Sequence, residues 1–175
     1  MKEMGYNLTE VKEDNLKDIK ELAECMRTVQ YYNEKGIYAG NHMFMGYQGY
    51  GIPSKKEYIS FIKDIVDNSS FKLLYSREEC CGNKIIAVGL GALTSMANET
   101  KTRCGRVMFF WVHPEKRKTT LNNKLYKKLF GWFKKNNCPS VSISFKRHQD
   151  SLAKFFFNKG YKVDNMELVG PVEVV

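Results

Sequence analysis

The chain has 175 residues, 43% of them hydrophobic and 27% charged, with 28 Lys and Arg against 19 Asp and Glu. That is ordinary globular usage and length enough for one domain, residues 1–175, with a sizeable core; it argues against a disordered chain, a collagen-like repeat and a disulfide-stapled miniprotein. The longest apolar run, residues 107–112, is far short of the roughly 20 residues of a membrane-spanning helix, and residues 1–14 hold no apolar signal core, so no membrane partner and a cytoplasmic location are expected. The 5 cysteines are an odd number, best read as reduced thiols, and adjacent Cys80 and Cys81 have no histidine at ligand spacing, so no metal is expected.

Residues 6–11 predict a short strand. Asp14 or Asn15 then caps a helix whose inner face is Leu16, Ile19, Leu22, Ala23 and Met26, ending near Tyr32. Residues 36–51 are loop by composition, with five glycines interleaved with Tyr38, Phe44, Tyr47 and Tyr50. The capping box at residues 54–57 opens a second helix with Tyr58, Ile62, Ile65 and Val66 inward. Strands follow at 71–76 and 85–94, joined by a hairpin turn over 77–83 that closes on Gly82 and Asn83. Residues 97–105 are polar and read as a turn. Residues 106–112 read as a strand buried on both faces and broken by Pro114. Thr119 or Thr120 caps a third helix with Leu121, Leu125, Leu129 and Phe133 on one side and Lys124, Lys127, Lys128, Lys134 and Lys135 on the other. A strand at 141–145, a short helix from 150 to 159 with Gly160 as its cap, and a hairpin at 161–163 and 166–169 complete the order. This pattern predicts an α/β or α+β domain: a mixed, mostly antiparallel sheet of about six to seven strands flanked by about four helices.

Charge is unevenly spread. Residues 1–100 carry 12 basic and 14 acidic side chains, whereas residues 101–150 carry 13 basic and only 2 acidic. Such a field suits a polyanion: a nucleotide cofactor with several phosphates, a nucleic acid or an acidic surface. A solvated lysine-rich face is the plainer explanation.

The run Val112-His113-Pro114-Glu115-Lys116-Arg117, placed between a strand and a basic amphipathic helix, resembles the acyl-CoA-binding motif of the GNAT superfamily of N-acyltransferases. Ser151 to Tyr161, with Phe155, Phe156, Lys159 and Gly160, resembles that family's last helix and turn, and the element order matches along nearly the whole chain. Independently of the name, a loop feeding a helix N-terminus presents unpaired N–H groups to an anion such as a diphosphate. The resemblance implies acetyl-CoA, or another acyl-CoA, held by Phe110, Trp111, Val112, Arg117, Lys118, Thr119, Thr120, Leu121, Asn122 and Asn123. It also implies a strand at 109–112 splayed from the strand at 141–145, with the thioester between them. The reaction would be attack by a neutral amine, with a proton donor for the departing thiolate.

Two departures from the family pattern stand out. Its small loop residues fall on Lys118, Thr120 and Asn122, whose side chains crowd a close approach of backbone to phosphate. Its frequent tyrosine acid falls on Phe156, or in the neighbouring register on Phe155. Glu99, Ser144 and Tyr161 are the candidate catalytic groups. Tyr126, Ser142 and Glu115 are further candidates, and His113 and His148 are read as strand-end and surface histidines. Tyr38, Phe44, Tyr47 and Tyr50 would line the site of a small-molecule or peptide amine acceptor, or form a protein-partner surface in the 36–51 loop; His42 there reads as solvated. Three functions follow: an N-acetyltransferase; a GNAT-fold binding or structural protein that has lost its chemistry, of a kind that suits a viral or mobile-element accessory protein; and a nucleic-acid-binding or base-modifying protein acting through the basic 101–150 segment.

Overall fold

The computed structural model describes residues 6–34, 53–78, 82–96, 99–143 and 150–162. Its elements are β1 (Thr9–Glu10), α1 (Leu16–Glu34), α2 (Lys55–Val66), β2 (Phe71–Glu78), β3 (Lys84–Met96), β4 (Glu99–Val112), a 3₁₀ turn at Pro114–Lys116, α3 (Leu121–Lys135), β5 (Val141–Ile143) and α4 (Asp150–Phe157). The described strands form one five-stranded sheet in sequential order. Strands β1 to β4 pair antiparallel and β4 pairs β5 in parallel. A parallel neighbour needs a crossover connection, and α3 is that crossover.

Local chemistry sets the helix starts. The Asn15 side chain accepts from the Asp18 amide at 3.1 Å. The Ser54 side chain accepts from the Glu57 amide while the Glu57 carboxylate takes the Ser54 amide at 2.6 Å. Gly82 and Asn83, at φ 75° and 56°, take the left-handed backbone conformation that turns the chain into β3.

The sheet separates two cores. On one face α1 and α2 bury Ile19, Leu22, Met26, Tyr58 and Ile62 against Leu73, Val88, Leu90, Phe109 and Trp111. On the other, α3 and α4 bury Leu121, Leu125, Leu129, Phe133, Leu152 and Phe156 against Leu74, Ala87, Val107, Phe110 and Val112. Each such side chain contributes about 1.5–3 kcal/mol relative to exposure. Helix α3 lies very close to the sheet: a Cβ built on Gly105 would stand 2.6 Å from the Phe133 ring, and one on Gly91 2.7 Å from it.

Strand β4 contains an irregularity that positions the site. Leu90 faces Phe109, but the next residue, Gly91, faces Val107, so Met108 is an extra residue in β4. Side-chain alternation restarts there. Gly105 and Val107 point to the α3 face, Met108 and Phe109 both belong to the α1 core, and Phe110 and Val112 return to the α3 face.

Three sequence expectations change. Residues 99–105 are strand, not turn, because they pair with an extended β3 through Met96↔Glu99, Ser95↔Arg103 and Thr94↔Cys104. The described sheet has five strands rather than six or seven: Tyr161 and Lys162 follow the Gly160 cap without strand pairing, and residues 163–169 lie outside the described residues. In the expected first strand only Thr9–Glu10 pairs.

Candidate active site

The site is built where β4 ends. The described pairing of β4 with β5 covers Gly105↔Val141, Arg106↔Ser142 and Val107↔Ile143, and the Met108 bulge follows immediately. From there β4 runs on to Val112, held to β3 on its other edge. The His113 amide continues that ladder to the Ile86 carbonyl at 2.8 Å before Pro114 stops it.

The loop that follows is ordered by its own polar groups. Arg117 Nε donates to the Val112 carbonyl at 3.1 Å, tying the loop to the strand end. The Thr119 hydroxyl donates to the Lys116 carbonyl at 2.6 Å and accepts from the Leu121 amide at 3.3 Å. Thr119 therefore does the capping; Thr120, at the cap position, makes no side-chain cap bond. Asn122 Nδ2 donates to the Arg117 carbonyl at 3.0 Å. Lys124 is the first residue of α3 whose amide reaches a backbone carbonyl, that of Thr120. The amides of Asn122 and Asn123 have no acceptor among the described residues, the condition of a helix first turn open to an anion.

The expected cofactor residues thus fall into three groups. Arg117, Lys118, Thr119, Thr120, Asn122 and Asn123 are at least partly exposed around the loop and helix start. Phe110, Val112 and Leu121 are buried in the α3–α4 core, so only their backbone is available to a ligand. Trp111 points to the opposite face, against α1.

Of the expected catalytic residues, Glu99 is the first residue of β4, at the end of the strand remote from the loop. Tyr161 is half-buried beside Phe130 and Phe156, with ring centroids 5.7 and 5.5 Å away. Burial, then the nearby Tyr126 phenol, pushes the Tyr161 hydroxyl well above the usual tyrosine range. Of the further candidates, Tyr126 stacks on Phe130 at 4.3 Å, the exposed Ser142 hydroxyl meets the Gly105 carbonyl at 3.5 Å, and Glu115 is exposed. Tyr38, Phe44, Tyr47, Tyr50, His42, Ser144 and His148 lie outside the described residues. No group of three or more His, Cys, Asp or Glu side chains among the described residues is placed to hold a metal ion, and no described helix is long and apolar enough to cross a membrane.

A cavity of about 460 Å³ went unforeseen. It lies between α1, the β2–β3 hairpin and the end of β4, on the sheet face opposite α3, and His113, Trp111, Cys25 and Ile85 are among the residues that line it. Beside it, Arg77 bonds Asp18 at 2.7 Å, Glu21 at 2.5 Å and the Asn83 carbonyl at 2.8 Å, and Tyr75 donates to Asp18. Burial, then hydrogen bonding to Asp18, pushes the Tyr75 phenol up. Three separate elements assemble this cavity, so no local spacing announces it.

No protein-family model matches the chain, and no curated protein matches it. Solved structures do. Glucosamine-6-phosphate N-acetyltransferase from Arabidopsis thaliana is 14% identical with a TM-score of 0.66, over 97% of this chain and 99% of that one. A predicted acetyltransferase from Clostridium acetobutylicum, solved with acetyl-CoA, is 14% identical with a TM-score of 0.67, over 96% of this chain and 97% of that one. An aminoglycoside 6′-N-acetyltransferase from Acinetobacter haemolyticus is 14% identical with a TM-score of 0.64, over 97% and 99%. Likeness at these identities establishes the fold and nothing finer.

Proposed function

We propose that this chain, which has the GNAT fold, transfers an acyl group from an acyl-CoA, acetyl-CoA first among them, to the amine of a small molecule. One relationship carries the reading. Strand β4, with its bulge at Met108, delivers four residues later the loop that opens α3. The family resemblance asks for a strand to lie along a pantetheine arm and, directly after it, a helix start to hold a diphosphate, and β4 and α3 stand in that order.

The residues present fit such a ligand. The amides of Asn122 and Asn123 supply donors at the positive end of α3. Arg117, braced on Val112, and the exposed Lys118 add charge. Asn122, whose bulk was expected to obstruct the approach, spends its amide on the Arg117 carbonyl and so closes the loop. Acyl-CoA supplies the activated acyl group as a thioester. The protein's tasks are then to present a neutral amine and to hold a proton for the departing thiolate. The Tyr161 hydroxyl, which keeps its proton across the neutral range, is assigned that second task. The acceptor class follows from what the neighbours' names share, an amino sugar phosphate and an aminoglycoside.

Acetyl-CoA titrated against thermal unfolding tests the binding step, since a ligand of the folded state alone raises the midpoint. A rise of several degrees at sub-millimolar acetyl-CoA is expected, and no rise at several millimolar ends the proposal. Release of free CoA thiol in the presence of glucosamine 6-phosphate, an aminoglycoside or a polyamine then identifies the amine.

A further inference from the structure

We infer that the cavity between α1, the β2–β3 hairpin and the end of β4 is a second binding site, one that takes a small organic carboxylate with an apolar body. The inference does not depend on acyl transfer. It rests on which polar groups around the cavity are already committed and which are not.

The carboxylates are committed. Glu21 is paired with Arg77 at 2.5 Å, and Glu24 with Lys55 at 3.3 Å and Arg27 at 3.4 Å. Arg77 is itself spent on Asp18, Glu21 and the Asn83 carbonyl. The Cys25 thiol is neutral, pushed up to about 12 by burial.

The uncommitted groups are donors and cations. Trp111 is only 4% exposed, yet its Nε1, which can only donate, has no hydrogen-bond partner among the described residues. His113 Nδ1 is buried beside it in the same condition, and the two rings meet edge to face at 6.0 Å and 80°. An orphaned buried donor is costly, so the Trp111 indole N–H calls for an acceptor, and His113 Nδ1 can donate alongside it in the tautomer that carries its hydrogen there. At the mouth, Lys17 and Lys84 are exposed and have no carboxylate within ion-pair distance among the described residues. The unspent character of the cavity is therefore positive and donating.

Its walls select the rest of the ligand. Val29, Ile85 and the indole face of Trp111 are apolar, and about 460 Å³ lies within the range of small-molecule sites. No unspent guanidinium among the described residues faces the cavity, so it lacks the two-pronged donor that a phosphate dianion asks for. A monoanionic carboxylate on an aliphatic or aromatic body satisfies both the donors and the walls.

The chain has 2 tryptophans. Trp132→Phe, on the partly buried side of α3, leaves Trp111 as the sole indole reporter. Titration of that variant with 3-phenylpropionate is expected to change Trp111 emission saturably in the low millimolar range. The matched amide and amine, 3-phenylpropionamide and 3-phenylpropylamine, should bind at least about tenfold more weakly. Adding Lys84→Glu should weaken the carboxylate about tenfold while leaving the thermal response to acetyl-CoA as it was. Equal response to the amine, competition by inorganic phosphate at equal concentration, no response to the carboxylate at about 10 mM, or indifference to Lys84→Glu would each overturn the inference.

Discussion

The side-chain amide of Asn122 holds the backbone carbonyl of Arg117 at 3.0 Å, and Arg117 in turn holds the carbonyl of Val112 at 3.1 Å. Two side chains thus lace the loop between β4 and α3 where the family pattern relies on residues with little or no side chain. Lacing and smallness are different solutions to one problem: a loop must present its N–H groups without collapsing onto them.

If the loop is the diphosphate site, its charge matters more than charge elsewhere on the helix. Arg117→Ala is expected to weaken acetyl-CoA binding about tenfold, equivalent to about 1.4 kcal/mol. Lys135 closes α3, about 20 Å away along a helix rising 1.5 Å per residue. Lys135→Ala should change the affinity less than about twofold. Isothermal titration of both variants decides it, and equal losses would move the anion site away from the loop.

Tyr161→Phe removes a hydroxyl but keeps the ring that packs on Phe130 and Phe156. Turnover is expected to fall about 100- to 10,000-fold, the range typical of a lost general acid. Acetyl-CoA binding should be nearly unchanged. A variant that turns over at the parent rate would assign the proton to another group.

The seat of α3 on the sheet gives a stability test with an internal control. At Gly105 a new methyl would meet Phe133 Cδ1, Cε1 and Cγ at 2.6–2.9 Å, the root as well as the flank of a buried ring. At Gly89 it would meet Leu125 Cδ1 at 2.8 Å, the mobile tip of an aliphatic chain. Gly105→Ala is expected to cost about 1–3 kcal/mol in chemical denaturation and Gly89→Ala clearly less. The reverse order would show that the ring yields more easily than the leucine.

The capping box of α2 carries a pH signature. The Ser54 amide, and then the Ser54 hydroxyl, hold the Glu57 carboxyl below its ordinary value of 4.5. A carboxyl lowered by folding stabilises the fold above its unfolded value, and that stabilisation fades as pH falls through the folded value. The gap in thermal midpoint between the parent and Glu57→Ala should be full at pH 7 and should close on acidification below about pH 4.5. A gap that widens in acid would contradict the assignment.

Much of the architecture is legible from periodicity. The α3 residues Leu121, Leu125, Leu129 and Phe133 all bury as their spacing predicts, and so do Ile19, Leu22, Ala23 and Met26 of α1, whereas Leu16, expected on the same face, is exposed at the helix start. What misleads is polarity. Residues 99–103 are polar yet form strand, because the backbone pairs with an extended β3. The cavity is invisible in the chain because Glu24, Arg77 and Trp111 come from three elements far apart in sequence. The bulge is equally hidden, since Met108 sits inside the uniformly apolar run 107–112 with no glycine to mark it.

That single supernumerary methionine has an arithmetic consequence. Just ahead of it the odd-numbered positions 105 and 107 face α3; just beyond it the even-numbered 110 and 112 do. Excising Met108 while keeping every other residue would pair β4 with β3 one for one, with Gly105, Val107, Phe110 and Val112 still toward α3 and Phe109 and Trp111 still toward α1. The extra methionine therefore leaves the assignment of faces as a regular strand would have it. What it adds is a local kink and a stronger twist between the part of β4 that pairs with β5 and the part that delivers the loop.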